Sequence, residues 1–486
     1  MVQPLVWTGN EGPTDGRNWG NRGNMNEDAL EQACLNWLSG LGYACLHGDE
    51  VSPGGALEAR ERYSDVVLAP QLRQAVVRLN PALAGNQIDQ VVAKLATYGA
   101  QSIVDGNKEV YDWLRNGVPL EQTEADGRRT VLRVPVIDFT GANDLLAVRQ
   151  FTIHGQKIRR PDIVLFVNGL PLVVVELKNP ADLNADYEAA YHQIQTYKAD
   201  VPQLFYFNLL NVISDGTVAR YGSLTADLSR HSRWRLLDGK KVDKAQLELE
   251  VLMRGLLEPR TLFEFFRGFV AYGGADGGST FKIIAQWHQF HGVQKAVVRA
   301  VEALIHRKDG KGGVIWFTQG SGKSLLALFY VMALRDRPEF QNPTIVLVTD
   351  RNDLDGQLFE TFADSRWSLR TTPEQANSRE ELRSLLSAVQ AGGIYFTTIN
   401  KFAPENGQTR VPVLCERSNV VVIADEAHRT QYGFRADLDA GTGQTKYGLA
   451  KYMRDALPNA IYLGMTGTPV SLNDRDTEAV FGTYVD

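Results

Sequence analysis

Apolar and polar positions divide this chain into two parts of different texture. Up to about residue 250, helical stripes and strand-like runs are mixed. NEDALEQACLNWLSGLGY sets Leu30, Cys34, Trp37 and Leu38 on one helix face, with Asn26 as N-cap and Gly40 and Gly42 at its end. Helical stretches near 70–100 and 105–116 precede strand-like VLRVPVIDF and LLAVRQFTI. RRPDIVLFVNGLPLVVVELKNP, Arg159 to Pro180, follows and reads as a β-hairpin, because two apolar runs flank Asn168-Gly169. Next come a helix in NADYEAAYHQIQTYKAD and strands near FYFNLLNVISDG and TVARYGSL. From about 286 the pattern becomes strand then helix, with strands in GGVIWFT, TIVLVT, GIYFTT, NVVVIA and AIYLGMT. That alternation predicts a parallel α/β sheet. The stretch between, ending in AYGGADGG, reads as a connection. The expected division is an α/β domain over 1–250 with a Gly- and Asn-rich arm to about residue 24, a connecting segment over 251–285, and a second α/β domain over 286–486.

Composition adds limits. At 486 residues the chain is too long for one core, and length alone predicts about three domains. Cys34, Cys45 and Cys415 show neither metal-ligand spacing nor a disulfide framework, which suits a reducing compartment. The first residues lack a basic n-region and an apolar core, and no apolar run is long enough to span a bilayer. The expectation is a cytoplasmic protein without a membrane partner. A net charge of −6 means that any nucleic-acid surface is local.

The second part carries a nucleotide signature. In WFTQGSGKSLLALFYVMAL a Gly-rich loop joins a strand to a helix, so the backbone N–H groups of Gly320, Ser321, Gly322 and Lys323 can wrap a phosphate of ATP. Lys323 would reach the β/γ-phosphates and Ser324 would ligate Mg²⁺. The strict G-x-x-x-x-G-K-[ST] form is not met, since its first glycine falls at Phe317. NVVVIADEAH ends a β-branched strand in Asp425-Glu426-Ala427-His428. An acid there is where Mg²⁺ is held beside a P-loop, so Asp425 would hold the ion and Glu426 would orient and deprotonate water. GMTGTPV follows the last strand.

The hairpin of the first part poses a chemical question. Its buried arms end in Asp162 on one side and in Glu176 and Lys178 on the other. Two carboxylates can hold Mg²⁺ through oxygen, and a neighbouring ammonium can orient water and offset charge building on phosphorus. Period-2 geometry puts Glu176 and Lys178 on one face. A plain two-residue turn at Asn168-Gly169 pairs residues whose numbers sum to 337, which sends Asp162 and Glu176 to opposite faces. One extra residue restores the site. Pro171, with no N–H, also disfavours the tight ladder. The expectation is therefore a longer odd-length connection or a bulge.

These residues resemble known families. Pro161-Asp162 with Glu176-Leu177-Lys178 resembles the PD-(D/E)xK nuclease core, with Asp162 and Glu176 as metal ligands and Lys178 as catalytic. Such cores often aim an acid from an upstream helix at the metal, here Glu31, and Gln193 with Tyr197 resembles the extra motif of RecB-type nucleases. GSGKS, DEAH and TGTP in this order resemble superfamily 2 helicases with a RecA-like P-loop domain. In that resemblance TDRNDLDGQ and TTINKF would contact DNA, Gln289 would read adenine, and His428 would couple hydrolysis to strand movement.

Nuclease first and motor second resembles the R subunit of type I restriction-modification enzymes. The resemblance implies an ATP-dependent endonuclease and translocase of duplex DNA, using ATP and Mg²⁺ and working with M (methyltransferase) and S (specificity) subunits. A second RecA-like domain and a C-terminal docking part would belong to such a subunit, and the sequence ends at Asp486, so an N-terminal portion is expected. Two other readings stand beside it: a stand-alone nuclease-helicase of DNA repair or phage defence, and a non-catalytic, nucleotide-gated DNA-binding scaffold.

Overall fold

The computed structural model describes residues 27–124, 126–178, 186–242, 246–274, 278–318, 320–349, 356–404, 410–425, 436–438, 445–467 and 480–485. Asn26, the 350–355 part of TDRNDLDGQ, Glu426, His428 and the 468–470 part of GMTGTPV lie outside the described residues.

The first part contains α1 (Glu27–Gly40), β1 (Ala44–His47), α2 (Ile103–Asn116), β2 (Leu145–Arg149), β3 (Ile153–His154), β4 (Ile158–Arg159), β5 (Ile163–Val167), β6 (Leu170–Leu177), α3 (Tyr187–Asp200), β7 (Leu210–Ser214) and β8 (Ala219–Gly222). Six of these strands form one mixed sheet in the order β1-β2-β5-β6-β7-β8. Every residue of β5 and β6 is buried, and apart from Glu176 both central strands are apolar without alternation. β6 and β7 run parallel, with α3 in the crossover between them.

Three differences from the sequence reading have local causes. VLRVPVIDF is a strand only to Val134, before Pro135, and pairs outside the main sheet with Val118–Thr123. Pro202–Tyr206 is a 3₁₀ turn, so the strand in FYFNLLNVISDG begins at Leu210. The connecting stretch is a packed layer: helices Glu248–Gly255 and Pro259–Gly268 lead into an antiparallel hairpin, Val270–Gly273 with Phe281–Ile284. The Tyr43 and Tyr111 hydroxyls donate to the Leu257 and Phe266 carbonyls, each at 2.8 Å.

In the second part, α4 (Trp287–Glu302) precedes β9 (Lys311–Trp316), α5 (Lys323–Arg335), β10 (Thr344–Thr349), β11 (Glu374–Gln375), β12 (Ile394–Thr398), β13 (Val420–Ala424) and β14 (Ile461–Thr466). The sheet order is β9-β14-β13-β10-β12-β11, and all of these neighbours are parallel. The chain returns by crossovers to build it, as the strand–helix alternation requires. Between the two halves, Arg115 of α2 pairs with Asp336 beyond α5 at 2.7 Å.

Candidate functional site

The hairpin β5–β6 sets the geometry of the first site. Asn168 and Gly169 have φ of 52° and 78°, the left-handed pair of a type I′ turn, so the tight turn forms despite Pro171. Asn168 is held there by Arg78, which donates to its Oδ1 at 3.1 Å, and by its own Nδ2 bond to the Val136 carbonyl at 2.9 Å. Val167 pairs with Leu170 and Phe166 with Pro171, but Leu165 pairs with Val173. Leu172 is therefore the extra residue of a bulge. Pro171 lies beside it, where a missing ladder N–H is tolerated. Beyond the bulge Ile163 pairs with Val175, and the same register places Asp162 opposite Glu176 on one face. The tight turn and the bulge coexist.

The charged ends then meet. Lys178 Nζ lies 2.6 Å from Glu176 Oε1, and the Leu177 N–H donates to Asp162 Oδ2 at 2.7 Å. From α1, Glu31 approaches the pair; Gln150 Nε2 donates to Glu31 Oε1 at 2.6 Å and, more weakly, to Asp162 Oδ1 at 3.4 Å. From α3, Gln193 and Tyr197 line the same cleft of about 590 Å³ as Glu31, Gln150 and Asp162. The Tyr197 hydroxyl donates to the Arg160 carbonyl at 3.4 Å; burial and the Glu176 carboxylate hold its pKa far above the ordinary tyrosine range.

Burial governs the electrostatics. Glu31, Asp162 and Glu176 are 4%, 5% and 2% exposed. Burial first, and then mutual repulsion with Asp162, raises Glu31 to about 7 and Glu176 to about 8. Burial raises Asp162 to about 6, against the Leu177 N–H and Lys178, which lower it. Burial alone would lower Lys178, but contact with Glu176 outweighs it and holds the ammonium above its ordinary range. Glu31 Oε2 and Glu176 Oε2 are buried with no hydrogen-bond donor among the described residues. Among those residues no three His, Cys, Asp or Glu side chains already form a metal cage. An all-oxygen set in which Glu31 and Glu176 each keep an orphaned oxygen nevertheless fits a hard cation, which Glu176 could hold together with Asp162 opposite it.

Sequence reasoning missed Gln150. It follows β2 with φ of 56°, a left-handed backbone rare for a side chain of this kind. Gly48 makes the fit possible, since a Cβ there would stand 2.2 Å from the Gln150 carbonyl oxygen. A glutamine after a strand carries no sequence signal of such a role.

The second site lies where the carboxyl ends of β9 and β13 flank β14. Gly320 and Gly322 have φ of 81° and 87°, and Lys323 opens α5. Lys323 Nζ is 3.8 Å from Asp425 Oδ1, which sits just past β13. Ser321 and Ser324 are partly exposed beside them. Gln289 is 2% exposed; its Oε1 accepts from the Gln286 N–H at 2.9 Å and its Nε2 donates to the Gly322 carbonyl at 3.2 Å. It braces the loop floor from the first turn of α4. His288, which the sequence reading passed over, reaches the Ser321 carbonyl at 3.2 Å.

Residues 24–230 match the family described as type I restriction enzyme R protein N terminus, and residues 288–486 match the SWI2/SNF2 ATPase family. The type I restriction enzyme HindI endonuclease subunit of Haemophilus influenzae is 45% identical over 469 residues, covering 95% of this chain and 44% of that protein. The chain belongs to the R-subunit (HsdR-type) family of type I restriction enzymes. A second relative of this R-type chain, the type I restriction enzyme SauMRSORF196P endonuclease subunit of Staphylococcus aureus, is 27% identical over 94% of the chain and 45% of its own length. The chain thus spans under half the length of these curated relatives. A solved SWI2/SNF2 ATPase core of Sulfolobus solfataricus in complex with dsDNA is 16% identical, with a TM-score of 0.26, over 40% of this chain and 34% of that one. The fold class of this R-type chain is a nuclease-type α/β domain followed by a superfamily 2 helicase-type ATPase domain. Among the described residues no helix is long and apolar enough to cross a membrane.

Proposed function

We propose that this chain is the nuclease and first motor part of an ATP-dependent DNA endonuclease and translocase that cleaves foreign duplex DNA with Mg²⁺ in the cytoplasm, together with M and S subunits. The proposed division is nuclease over 1–250, connection over 251–285 and RecA-like motor over 286–486. The observation that carries the reading is the meeting of Asp162, Glu176 and Lys178 at one end of a buried hairpin, where Asp162 lines a cleft with Glu31. A hydrophobic hairpin has no structural need for two buried carboxyls, joined here by Glu31 from α1, and perturbed groups in a cleft are enriched at functional sites. When bound, Mg²⁺ supplies Lewis-acid polarisation of a phosphate and a more acidic water. Lys178, kept protonated by Glu176, is placed to donate toward developing negative charge. Tyr197 and Gln193 wall the cleft on the α3 side. In the motor, the Gly320–Lys323 turn would cradle phosphates of ATP, with Ser324 and Asp425 on its Mg²⁺ and Glu426 and His428 in the roles their motif implies.

The test is cleavage of unmodified plasmid by the full restriction complex carrying single substitutions. Lys178→Ala is expected to lower cleavage by roughly 10²-fold or more while divalent-cation binding to the 486-residue chain survives. Asp162→Ala is expected to lose both. Normal cutting by Lys178→Ala overturns the assignment.

A further inference from the structure

The cleft that holds the carboxyls is poor in free positive charge. Its lining includes Glu27, Asp28, Glu31 and Asp162 against Arg159 and Arg160. Arg149, nearby, pairs with Asp28 at 3.2 Å. Arg159 is spent on Asp200, to which its Nε donates at 2.7 Å. Arg160 is exposed and has no carboxylate partner among the described residues. Among the described residues of the lining, a polyanion entering this cleft therefore meets one uncommitted cation, and it stands directly before the Pro161-Asp162 end of β5.

Arg160 follows a small projecting hairpin, β3–β4, whose pairs are Ile153 with Arg159 and His154 with Ile158. The hairpin is anchored on both sides. The Gln156 N–H donates to the Asp200 carbonyl at 2.7 Å, and a Cβ on Gly155 would stand 2.2 Å from that same oxygen. The His154 N–H donates to the Tyr63 carbonyl at 3.1 Å, and the two rings stack at 4.7 Å. Asp200 closes α3, the helix that carries Gln193 and Tyr197, so the hairpin is tied to the cleft wall. Yet the lip of this rigid hairpin presents Ile158, 64% exposed, with Lys157 exposed next to it. A β-branched apolar side chain held in water at the mouth of an acidic cleft, between two cations, matches the chemistry of a DNA minor groove, whose walls are sugar C–H surface rimmed by phosphates.

We propose that the β3–β4 lip seats duplex DNA for cutting: Arg160 takes a backbone phosphate and Ile158 packs into the minor groove, without reading sequence. This rests on the nuclease reading and adds the contact that positions the strand. A preformed lip lowers the ordering cost of binding.

The test uses the 486-residue chain and a fluorescent 30-base-pair duplex of arbitrary sequence, with Ca²⁺ as the divalent ion, titrated at several salt concentrations. Arg160→Ala is expected to weaken binding and to reduce the slope of log affinity against log salt by about 1, and Arg160→Lys to restore the slope. Ile158→Ala is expected to weaken binding roughly tenfold with the slope unchanged, because it removes apolar contact and no charge. Both side chains are exposed, and unfolding curves of each variant should overlay the wild type. Unchanged affinity and slope in both variants overturn the lip, as does a wild-type chain with no salt-dependent duplex binding. Lys178→Ala separates the two claims: loss of cleavage there with normal binding keeps the nuclease reading even where the lip variants behave as wild type.

Discussion

Asp162 faces Glu176 because β6 carries one residue more than β5 on the turn side of that pair. The extra residue is Leu172, and without it the tight Asn168-Gly169 turn would send the two carboxyls to opposite faces of the sheet. The local turn preference and the chemical requirement are both met, and the bulge reconciles them. Bulges commonly re-aim side chains beside active sites, and here one does so within a strand whose other residues are all apolar.

Gln150 should matter to cation binding. Its amide supports the charged forms of both Glu31 and Asp162. Partners of metal-binding carboxylates typically contribute about 10- to 100-fold in affinity. Gln150→Ala is expected to weaken Mn²⁺ binding, measured by calorimetry on the isolated chain, by roughly tenfold. Because φ at this position is 56°, Gln150→Gly should unfold at a higher temperature than Gln150→Ala while binding Mn²⁺ equally poorly. Wild-type affinity in both variants would remove Gln150 from the site.

The carboxyls also give stability a pH dependence of known sign. Burial raises Glu31, Asp162 and Glu176 to about 7, 6 and 8, with repulsion from Asp162 adding to the first and the last. Each holds its proton more tightly in the folded chain than in the unfolded one. Their contribution is therefore fully present at low pH, below the ordinary carboxyl range near about 4, and is lost as pH rises through 6 to 8. In the absence of divalent cation, Glu176→Gln is expected to melt above the wild type at about pH 8.5, with the gap closing toward about pH 5.5. Melting curves that stay parallel across this range would contradict the assignment of raised values.

Much of this was legible from residue pattern. Five of the six strands of the second sheet lie on the apolar runs, because parallel strands buried on both faces are continuous in sequence, whereas β11, two residues long, has no run to show it. The spacing of Asp162, Glu176 and Lys178 around Asn168-Gly169 shows the register problem by itself. Other features left no trace. β1 is only Ala44–His47, too short to show a period. Gln150 and Gly48 act through backbone shape, which composition does not encode. The connecting stretch looked like a linker because its glycines stand out, whereas its phenylalanines make it a packed layer: Phe269 lies 4.6 Å from Phe290 between ring centres. Gln289, expected at a base, also touches the Gly322 carbonyl, a contact that its place in the sequence does not show.

That bracing makes one glycine more sensitive than its neighbour. A Cβ on Gly322 would stand 2.6 Å from Gln289 Nε2, whereas one on Gly320 meets nothing within 4 Å. Both have left-handed φ, so backbone strain is shared and the collision is not. Gly322→Ala is expected to weaken binding of a fluorescent ATP analogue at least roughly tenfold more than Gly320→Ala does, about 1.4 kcal/mol of difference. Equal losses would mean that Gln289 does not brace the loop.

The central claim is that one divalent cation is shared by Asp162 and Glu176. Crystals of the chain soaked in Mn²⁺ and measured at the manganese edge test it most directly. The expected result is an anomalous peak within about 2.0–2.6 Å of a carboxylate oxygen of each residue, absent from Asp162→Ala crystals. Manganese held elsewhere, or touching only one of the two carboxylates, would contradict the claim.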